Sequence, residues 1–321
     1  LSNNIDDKFY GQFTLAIAEH EGELEIELEE AFFETLALGH GFTVRGGRFY
    51  SGIGYLNQQH EHAWDFHDAP LIYRGLFGNQ YLDDGIRASF VAPTDLFFEI
   101  GAEAFTGNKY PAGGEHDGLD SVVGFANLGG DIGVSHSWQA GVSYWRADSI
   151  AREYGGHGHG HVEAEGAEHG GETPHFEGDS TTVGLNAVYK WAPGGNYRDQ
   201  NVKLQFEYFK REDEGVIELE GSDPLEESSL DGSQDGWYLQ GVWQFTRDWR
   251  VGRRYDAVDS DNSGADTGVL EEAGLLSEGH DPERISVMTE WVPSELSRIR
   301  LQYNRDDSYQ QSDDQVFLQY T

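Results

Sequence analysis

The chain alternates between apolar and polar residues with a period of two, many times along its length. Between positions 96 and 105, apolar residues fall on one face of an extended chain, whereas Glu99 and Glu103 fall on the other. The same pattern recurs at 138–144, 183–191, 202–208, 285–291 and 299–304. Because successive side chains of a strand point to opposite faces, each repeat predicts a β-strand with one apolar and one polar face.

The repeats predict about fourteen strands, with roughly 12 to 16 as the range. Their expected positions are 8–18, 24–38, 42–56, 84–92, 95–106, 120–134, 137–148, 180–191, 201–211, 235–246, 248–257, 283–292, 297–307 and 314 onward. The last of these ends in mid-run at Thr321, so we expect a few more residues in the full protein.

The connections between these strands alternate in length. Short connections fall near 39–41, 93–94, 135–136, 246–247 and 293–294, and long ones at 57–83, 107–119, 149–179, 212–234 and 258–282. Outer-membrane β-barrels have this asymmetry, with short periplasmic turns and long extracellular loops, whereas a soluble sandwich shares only the alternation. We therefore predict an all-β chain, in which residues 1–321 form one transmembrane antiparallel up-and-down β-barrel in the bacterial outer membrane.

Composition excludes several classes of function. The 321 residues include no cysteine, so disulfides and thiolate metal sites are ruled out. Lys and Arg number 21 against 58 Asp and Glu, and the resulting net charge of −37 argues against a nucleic-acid partner. No apolar run approaches the roughly 20 residues that a membrane-spanning helix needs. The sequence also lacks a nucleophile elbow, a phosphate-cradling loop or a catalytic triad, so we do not expect an enzyme.

Four segments of the sequence resemble known outer-membrane families. The run from Glu29 to Phe33 (EEAFF), followed by Gly46 to Tyr50 (GGRFY), and the later VGRRYD at 251–256 resemble bacterial porins related to the phosphate-selective type. The loop from His60 to Gly78 resembles the H-x-H-x-W-x-F-x-D-x-P-L stretch of an uncharacterised proteobacterial outer-membrane family associated with metal acquisition. The likeness covers most of the chain, but only this loop is specific. The lumen has no lysine-rich set, so the resemblance does not imply phosphate transport.

The loop at 57–83 has two interpretations. Histidines two apart in an extended segment point the same way, so His60 and His62 are candidate ligands of one divalent ion, completed by Asp65 or His67. The alternative is a porin constriction loop that folds into the lumen and is held there by lumen arginines. Residues 69–77, with Pro70 at the first turn, are expected to form a short helix that plugs part of the pore.

A second histidine cluster lies in the glycine-rich tract within 149–179, which we expect to be an extracellular loop. Its candidate ligands are His157, His159, His161, His169 and His175. Such a tract favours loose capture of Zn²⁺, Cu²⁺ or Ni²⁺, because glycine lets the imidazoles converge but ordering the loop costs conformational entropy. A solvated acidic loop without metal is the alternative.

Alternation also assigns a set of charged residues to the interior. The expected pore-lining residues are Glu27, Glu29, Arg87, Glu99, Glu103, Lys190, Lys203, Glu207, Glu290 and Arg300. Acid predominates, which favours cations. The acidic stretches at 211–220, 223–227 and 256–266 indicate either a saline habitat or Ca²⁺-mediated packing at the surface.

Together these features predict a porin-like channel, monomeric or trimeric, that concentrates divalent metal, with zinc favoured, and passes it through an acidic lumen. No cofactor is required for this function. The expected surroundings are outer-membrane lipid, lipopolysaccharide and small ions. Two alternatives stay open: a general diffusion porin with no metal role, and a closed barrel that anchors or docks a surface protein.

Overall fold

The computed structural model describes residues 2–20, 23–36, 38–153, 173–222, 224–276, 279–294, 297–309 and 311–320. These residues form one antiparallel sheet in which each strand pairs with the next one along the chain. Its strands are β1 (Ser2–Asn4), β2 (Phe9–His20), β3 (Glu23–Thr35), β4 (Phe42–Tyr50), β5 (Leu82–Val91), β6 (Phe97–Phe105), β7 (Ser121–Ile132), β8 (His136–Glu153), β9 (Thr173–Trp191), β10 (Asn201–Glu220), β11 (Glu226–Thr246), β12 (Trp249–Ser263), β13 (Glu283–Ser294), β14 (Ser297–Asp307) and β15 (Asp313–Tyr320).

Helical structure is confined to the connections in the described ranges. Helix α1 is Leu71–Phe77 and helix α2 is Thr267–Glu272, with 3-10 turns at Glu61–Ala63 and Pro193–Gly195. None of these helices is long and apolar enough to cross a membrane. The predicted helix at 69–77 is thus confirmed as α1, which begins directly after Pro70.

The sheet carries its apolar residues on the outside. On β9, Leu185 points outward and is 51% exposed, whereas its neighbour Asn186 points inward and is 5% exposed. On β14, Leu301 is likewise exposed, while Arg300 and Gln302 are buried on the inner face. A water-soluble sheet buries its apolar face, so the reverse arrangement fits a barrel whose outer wall contacts hydrocarbon. The predicted transmembrane up-and-down β-barrel is confirmed, and β2 to β15 correspond to the fourteen predicted strands.

Several predicted strand ends were wrong. Strands β8 to β12 extend past their expected ends, so that 149–153, 173–179, 212–220, 226–234 and 258–263 are strand rather than loop. Strands β10 and β11, for example, stay in register from Asn201 opposite Gln244 to Leu219 opposite Glu226. Main-chain hydrogen bonds hold these extensions, whose side chains are polar on the outer face because they lie beyond the apolar band.

Strand β4 also ends earlier than expected, at Tyr50 instead of position 56. From there residues 51–81, here called the inner segment, leave the sheet and return only at Leu82, which pairs with Tyr50. The segment contacts inner-face side chains of β3, β6, β10 and β14. Because these strands are spread around the sheet, the sheet wraps around the inner segment.

An apolar cluster lies between the extended strands and α2. It joins the inner faces of β9, β10 and β11, through residues such as Phe176, Ile217 and Leu230, to Leu270 of α2 and the following Leu275. Asp266 caps the helix by accepting a hydrogen bond from the backbone N–H of Gly268. Residues 266–276 therefore pack against the inner side of the wall at its extracellular end.

Candidate functional site

The inner segment begins at two wall carboxylates that bind its backbone. Glu103 on β6 accepts hydrogen bonds from the Ser51 hydroxyl at 2.6 Å and the Gly52 N–H at 2.9 Å, and it also pairs with Arg87. Glu207 on β10 accepts from the N–H groups of Tyr55 at 2.7 Å and Leu56 at 3.0 Å. Charge-assisted bonds of this kind are stronger than neutral ones, so the two carboxylates fix the path of the chain into the lumen.

The middle of the segment is held by basic side chains of the wall. Asp65 forms ion pairs with Lys203, at 3.0 Å, and with Arg250. Arg300 on β14 donates to the backbone carbonyl of Trp64 at 2.7 Å and pairs with Glu290 at 2.8 Å. Burial alone would raise the pKa of Asp65, but the charges of Lys203 and Arg250 outweigh it and hold the pKa below its usual range.

Asp68 is the next anchor and contacts four side chains of the wall. It pairs with Arg254 at 2.7 Å and Arg284 at 2.9 Å, and it accepts hydrogen bonds from the amides of Gln302 and Asn304, each at 2.8 Å. Burial opposes ionisation of Asp68, yet the two guanidinium groups keep its pKa well below the usual range. The backbone is held as well, because Arg284 donates to the carbonyl of the next residue, Ala69, at 2.6 Å.

Helix α1 packs against the inner side of the wall next to these ion pairs. Asp256 on β12 accepts a hydrogen bond from the N–H of Leu71 at the start of the helix, at 3.1 Å. Tyr73 and Phe77 then pack edge-on against Phe209 of β10, with ring centroids 5.3 and 5.1 Å apart. The buried apolar cluster around them joins α1 to β7, β8, β10 and β11. The helix therefore packs directly against the wall of the barrel.

His60 connects the inner segment to β3 through two neighbouring carboxylates. Its Nδ1 lies 3.1 Å from Glu29 and its Nε2 lies 2.9 Å from Glu30. Two successive residues both reach His60 because the register shifts here: Thr14 pairs with Glu30, whereas Leu15 pairs with Leu28. Such a β-bulge reorients a side chain. The hydrogen bond with Glu29, then that with Glu30, raises the pKa of His60 to about 10.

The raised pKa of His60 gives a testable pH dependence. Its pKa in the folded chain lies above the ordinary value of 6.5, so its stabilising effect is complete below pH 6.5 and is lost as the pH rises through about 10. In an NMR titration of histidine-labelled protein, we expect one imidazole to titrate near pH 10. The same resonance should be missing from His60→Gln. A His60 resonance that titrates near pH 6.5 would contradict the pairing.

The predicted pore-lining residues fall mostly into these anchors. Arg87, Glu103, Glu207, Glu290 and Arg300 are buried on the inner face, and Lys203 reaches Asp65 there. Glu29 binds His60, Glu99 accepts a weak bond from Asn127, and Lys190 is exposed near the lower end of β9. The side chain of Glu27 lies outside the described residues.

The charge of the interior is more balanced than the predicted acidic lumen, because most of its buried carboxylates face arginines or Lys203. Sequence reasoning missed Glu30, Asp68 and Asp256 as interior anchors.

Three comparisons with known proteins bear on this arrangement. No family model matches the chain. An uncharacterised protein of Aquifex aeolicus (strain VF5) is 31% identical over 303 residues. That alignment covers 89% of this chain, but the chain spans only 58% of the length of that relative.

Solved structures with a similar fold come from the bacterial outer membrane. The OmpT loop L8 deletion mutant of Vibrio cholerae aligns over 100% of this chain and 88% of its own, with a TM-score of 0.58 and 14% identity. The outer membrane channel DcaP of Acinetobacter baumannii aligns over 99% of this chain and 82% of its own, with a TM-score of 0.58 and 12% identity. The chain has the outer-membrane β-barrel fold. The predicted outer-membrane localisation agrees with this fold, whereas the relationship to phosphate-selective porins stays a prediction.

The barrel separates the candidate metal ligands of the inner segment. His60 is bound to Glu29 and Glu30, Asp65 lies between Lys203 and Arg250, and the ring of His67 packs at a tilt against Phe317 of β15. His62 stacks on His60 with ring centroids 5.4 Å apart. Among the described residues, no three His, Asp or Glu side chains converge as a metal site.

The second histidine cluster is only partly described. His175 belongs to β9, not to a loop, and lies 2.9 Å from Glu220. His157, His159, His161 and His169 lie outside the described residues, so metal capture by that tract stays a prediction. The expected Ca²⁺ sites likewise stay predictions, and their acidic stretches belong largely to β10, β12 and the turn after β10.

Proposed function

We propose that the barrel is an outer-membrane channel whose pore is narrowed by the inner segment, and that it works without catalysis. The single observation that carries this proposal is the anchoring of 51–81 to the wall. At least four separate sets of contacts hold it, at Glu103, Glu207, Asp68 and the Glu29–Glu30 pair. An inner segment fixed in this way sets the size limit of a pore. The name of DcaP, an outer membrane channel, agrees with this function.

The chemistry of the anchors favours solute selection by size over capture of a particular ion. Buried carboxylates such as Asp68 and Glu290 are neutralised by arginines, so they are not free to coordinate a passing cation. Charges of both signs then face any remaining water path, which gives a transverse field with weak preference for either sign. We therefore propose a narrow channel for small polar solutes, without a dedicated metal pathway.

The experiment that tests this is removal of the inner segment. Tyr50 and Leu82 are paired in register, so residues 51–81 can be replaced by Asn-Gly, which favours a tight hairpin turn. In planar bilayers, we expect the shortened barrel to conduct several times more current than the full chain. The matched control replaces 192–201, the connection between the paired residues Trp191 and Val202, by Asn-Gly as well. It should leave conductance unchanged, because this connection joins two wall strands at the end with the short turns.

The same recordings separate the alternative functions. Equal, large conductance of the full chain and the shortened barrel would contradict the constriction and favour a general diffusion porin. Failure of both to conduct, with folding verified by circular dichroism, would contradict the channel itself. A closed barrel that anchors a surface partner would then be the better interpretation.

A further inference from the structure

Arg253 stands on the outer, lipid-facing side of β12. Strand β12 alternates, with Arg254 and Asp256 buried inside, and Val251 and Arg253 exposed outside. In the sheet register Arg253 lies between Gly241 of β11 and Val287 of β13. Its outer-face surroundings are therefore apolar or lack a side chain.

The position of Arg253 lies well inside the apolar band. Trp249 and Trp291 are paired at the lower end of β12 and mark the periplasmic interface, because the turns at that end are short. From Trp249 to Arg253 the strand rises about 13 Å, which is about 10 Å along the axis of a barrel with a usual strand tilt. The apolar band of such barrels is about 25 Å tall, so the backbone of Arg253 lies near mid-depth.

The guanidinium of Arg253 has no ion-pair or hydrogen-bond partner among the described residues. Other outer-face arginines in the described ranges do have one: Arg48 pairs with Asp84 at 2.6 Å, Arg146 with Asp179 at 2.7 Å, and Arg305 with Asp307 at 3.6 Å. An unpaired cation on the lipid face is costly, unless its long stem carries the charge to the interface or an anion comes to it.

An apolar groove lies on the outer face of the strands that precede β12, from β8 to β11. The row of outer-face residues that contains Arg253 continues through Gly241, Leu204, Tyr189 and Trp138 on successive strands. The next row upward contains Leu239, Phe206, Ala187 and Ala140. Between the two rows lies a groove of about 260 Å³, lined by these residues from Leu204 and Leu239 to Trp138.

Small residues shape both ends of the groove. Ala140 and Ala187 are paired and form its floor, while the Leu204 side chain extends over Gly241 toward Arg253, with its Cδ2 3.1 Å from where a Cβ at Gly241 would stand. Strands lie about 4.8 Å apart, so Arg253 is about 10 Å from the start of the groove at Leu204. A single phospholipid molecule spans this distance between its phosphate and the first part of an acyl chain.

We propose that Arg253 and this groove bind one glycerophospholipid of the periplasmic leaflet. The phosphate accepts charge-assisted hydrogen bonds from the guanidinium, which reaches toward the periplasmic interface past Val251. One acyl chain lies in the groove over Ala140 and Ala187. Charge complementarity selects a phosphate-bearing lipid, and the apolar lining selects its chain. This site is independent of whether the barrel conducts.

Native mass spectrometry of the barrel with added phosphatidylglycerol tests the proposal. We expect Arg253→Gln to retain about tenfold less of the lipid than the unchanged chain, because it loses a charge-assisted contact. Ala187→Leu fills the groove and should lower retention as well while keeping the arginine. Arg305→Gln is the matched control, since it removes an outer-face arginine that already has an acidic partner, Asp307, and it should retain the lipid fully.

A diacylglycerol with the same chains separates the two parts of the site. It lacks the phosphate, so the unchanged chain and Arg253→Gln should bind it equally weakly, whereas Ala187→Leu should bind it less. Equal retention of phosphatidylglycerol by the unchanged chain and Arg253→Gln would overturn the proposal. So would a change confined to the oligomeric state, which would instead place Arg253 in a contact between copies of the chain.

Discussion

Changing Asp68 to alanine should release the middle of the inner segment from the wall. The change leaves Arg254 and Arg284, whose side chains are 1% and 0% exposed, with Asp256 as a shared carboxylate partner, and Arg284 also keeps Asp306 at 3.9 Å. Removing one member of a buried ion-pair network typically costs about 3–5 kcal/mol, because a desolvated charge loses its partner. We take the lower end, about 3 kcal/mol, since Asp256 stays in place. Amide hydrogen exchange over 64–77 should then become roughly 100-fold faster.

A surface pair of the same chemistry provides the control for Asp68. Asp84 pairs with Arg48 on the outer side of β4 and β5, where its side chain is 47% exposed. Asp84→Ala should change stability by no more than about 1 kcal/mol, because exposed ion pairs contribute little. If Asp68→Ala leaves exchange over 64–77 as slow as in the unchanged chain, the ion pairs of Asp68 do not hold the segment.

The strands inside the membrane could be predicted from the sequence because the two faces of the wall meet different environments. On β9, hydrocarbon outside requires Val183 and Leu185, and the packed polar interior accommodates Thr182 and Asn186. On β14 the same requirement separates Leu301 and Tyr303 from Arg300. Two environments on two faces leave a period of two in the sequence, which is the signal that alternation detects.

The extensions of the strands beyond the membrane lack that signal. Above the band the outer face meets water, so polar residues are accepted there, as Glu214 opposite Asp231 and Asp235 opposite Asp259 illustrate. Like charges across a strand pair are unfavourable, so these stretches look like solvated loops in the sequence. Their main-chain hydrogen bonds form because they continue strands that are already paired within the membrane. The local amino-acid composition carries no sign of this.

The candidate site was only partly predictable for a related reason. Folding of 57–83 into the lumen was one of two interpretations, but its partners lie far away in sequence: Asp68 binds Arg254 and Arg284, 186 and 216 residues later. Spacing within the loop instead suggested metal ligands. The β-bulge that brings Glu30 beside Glu29 breaks the alternation and left Glu30 out of the predicted set. The local alternation of apolar and polar residues therefore predicts the strands. The anchors of the inner segment depend on contacts between residues far apart in the sequence, which alternation cannot predict.

The turn that carries the inner segment into the lumen should fail if Gly54 gains a side chain. Gly54 has φ +68°, and a Cβ there would lie 2.4 Å from the Tyr73 hydroxyl, 2.5 Å from Glu207 and 2.7 Å from Phe209. Gly54→Ala therefore adds a left-handed backbone penalty of about 1–2 kcal/mol to a clash with three buried groups. We expect a total loss of about 3 kcal/mol and faster hydrogen exchange over 52–57.

The carboxylate beneath that turn should be equally sensitive. Glu207 accepts hydrogen bonds from two backbone N–H groups and from the hydroxyls of Tyr73 and Tyr238. Glu207→Gln keeps the shape of the side chain, but it places an amide N–H₂ donor opposite groups that are themselves donors. We expect this change to lower the stability of the folded chain by about 2–3 kcal/mol.

Gly75→Ala is the control for Gly54→Ala. A Cβ at Gly75 meets nothing within 4 Å, so this change should be neutral or stabilising. Unchanged exchange over 52–57 in both Gly54→Ala and Glu207→Gln would mean that the segment enters the lumen without this anchor.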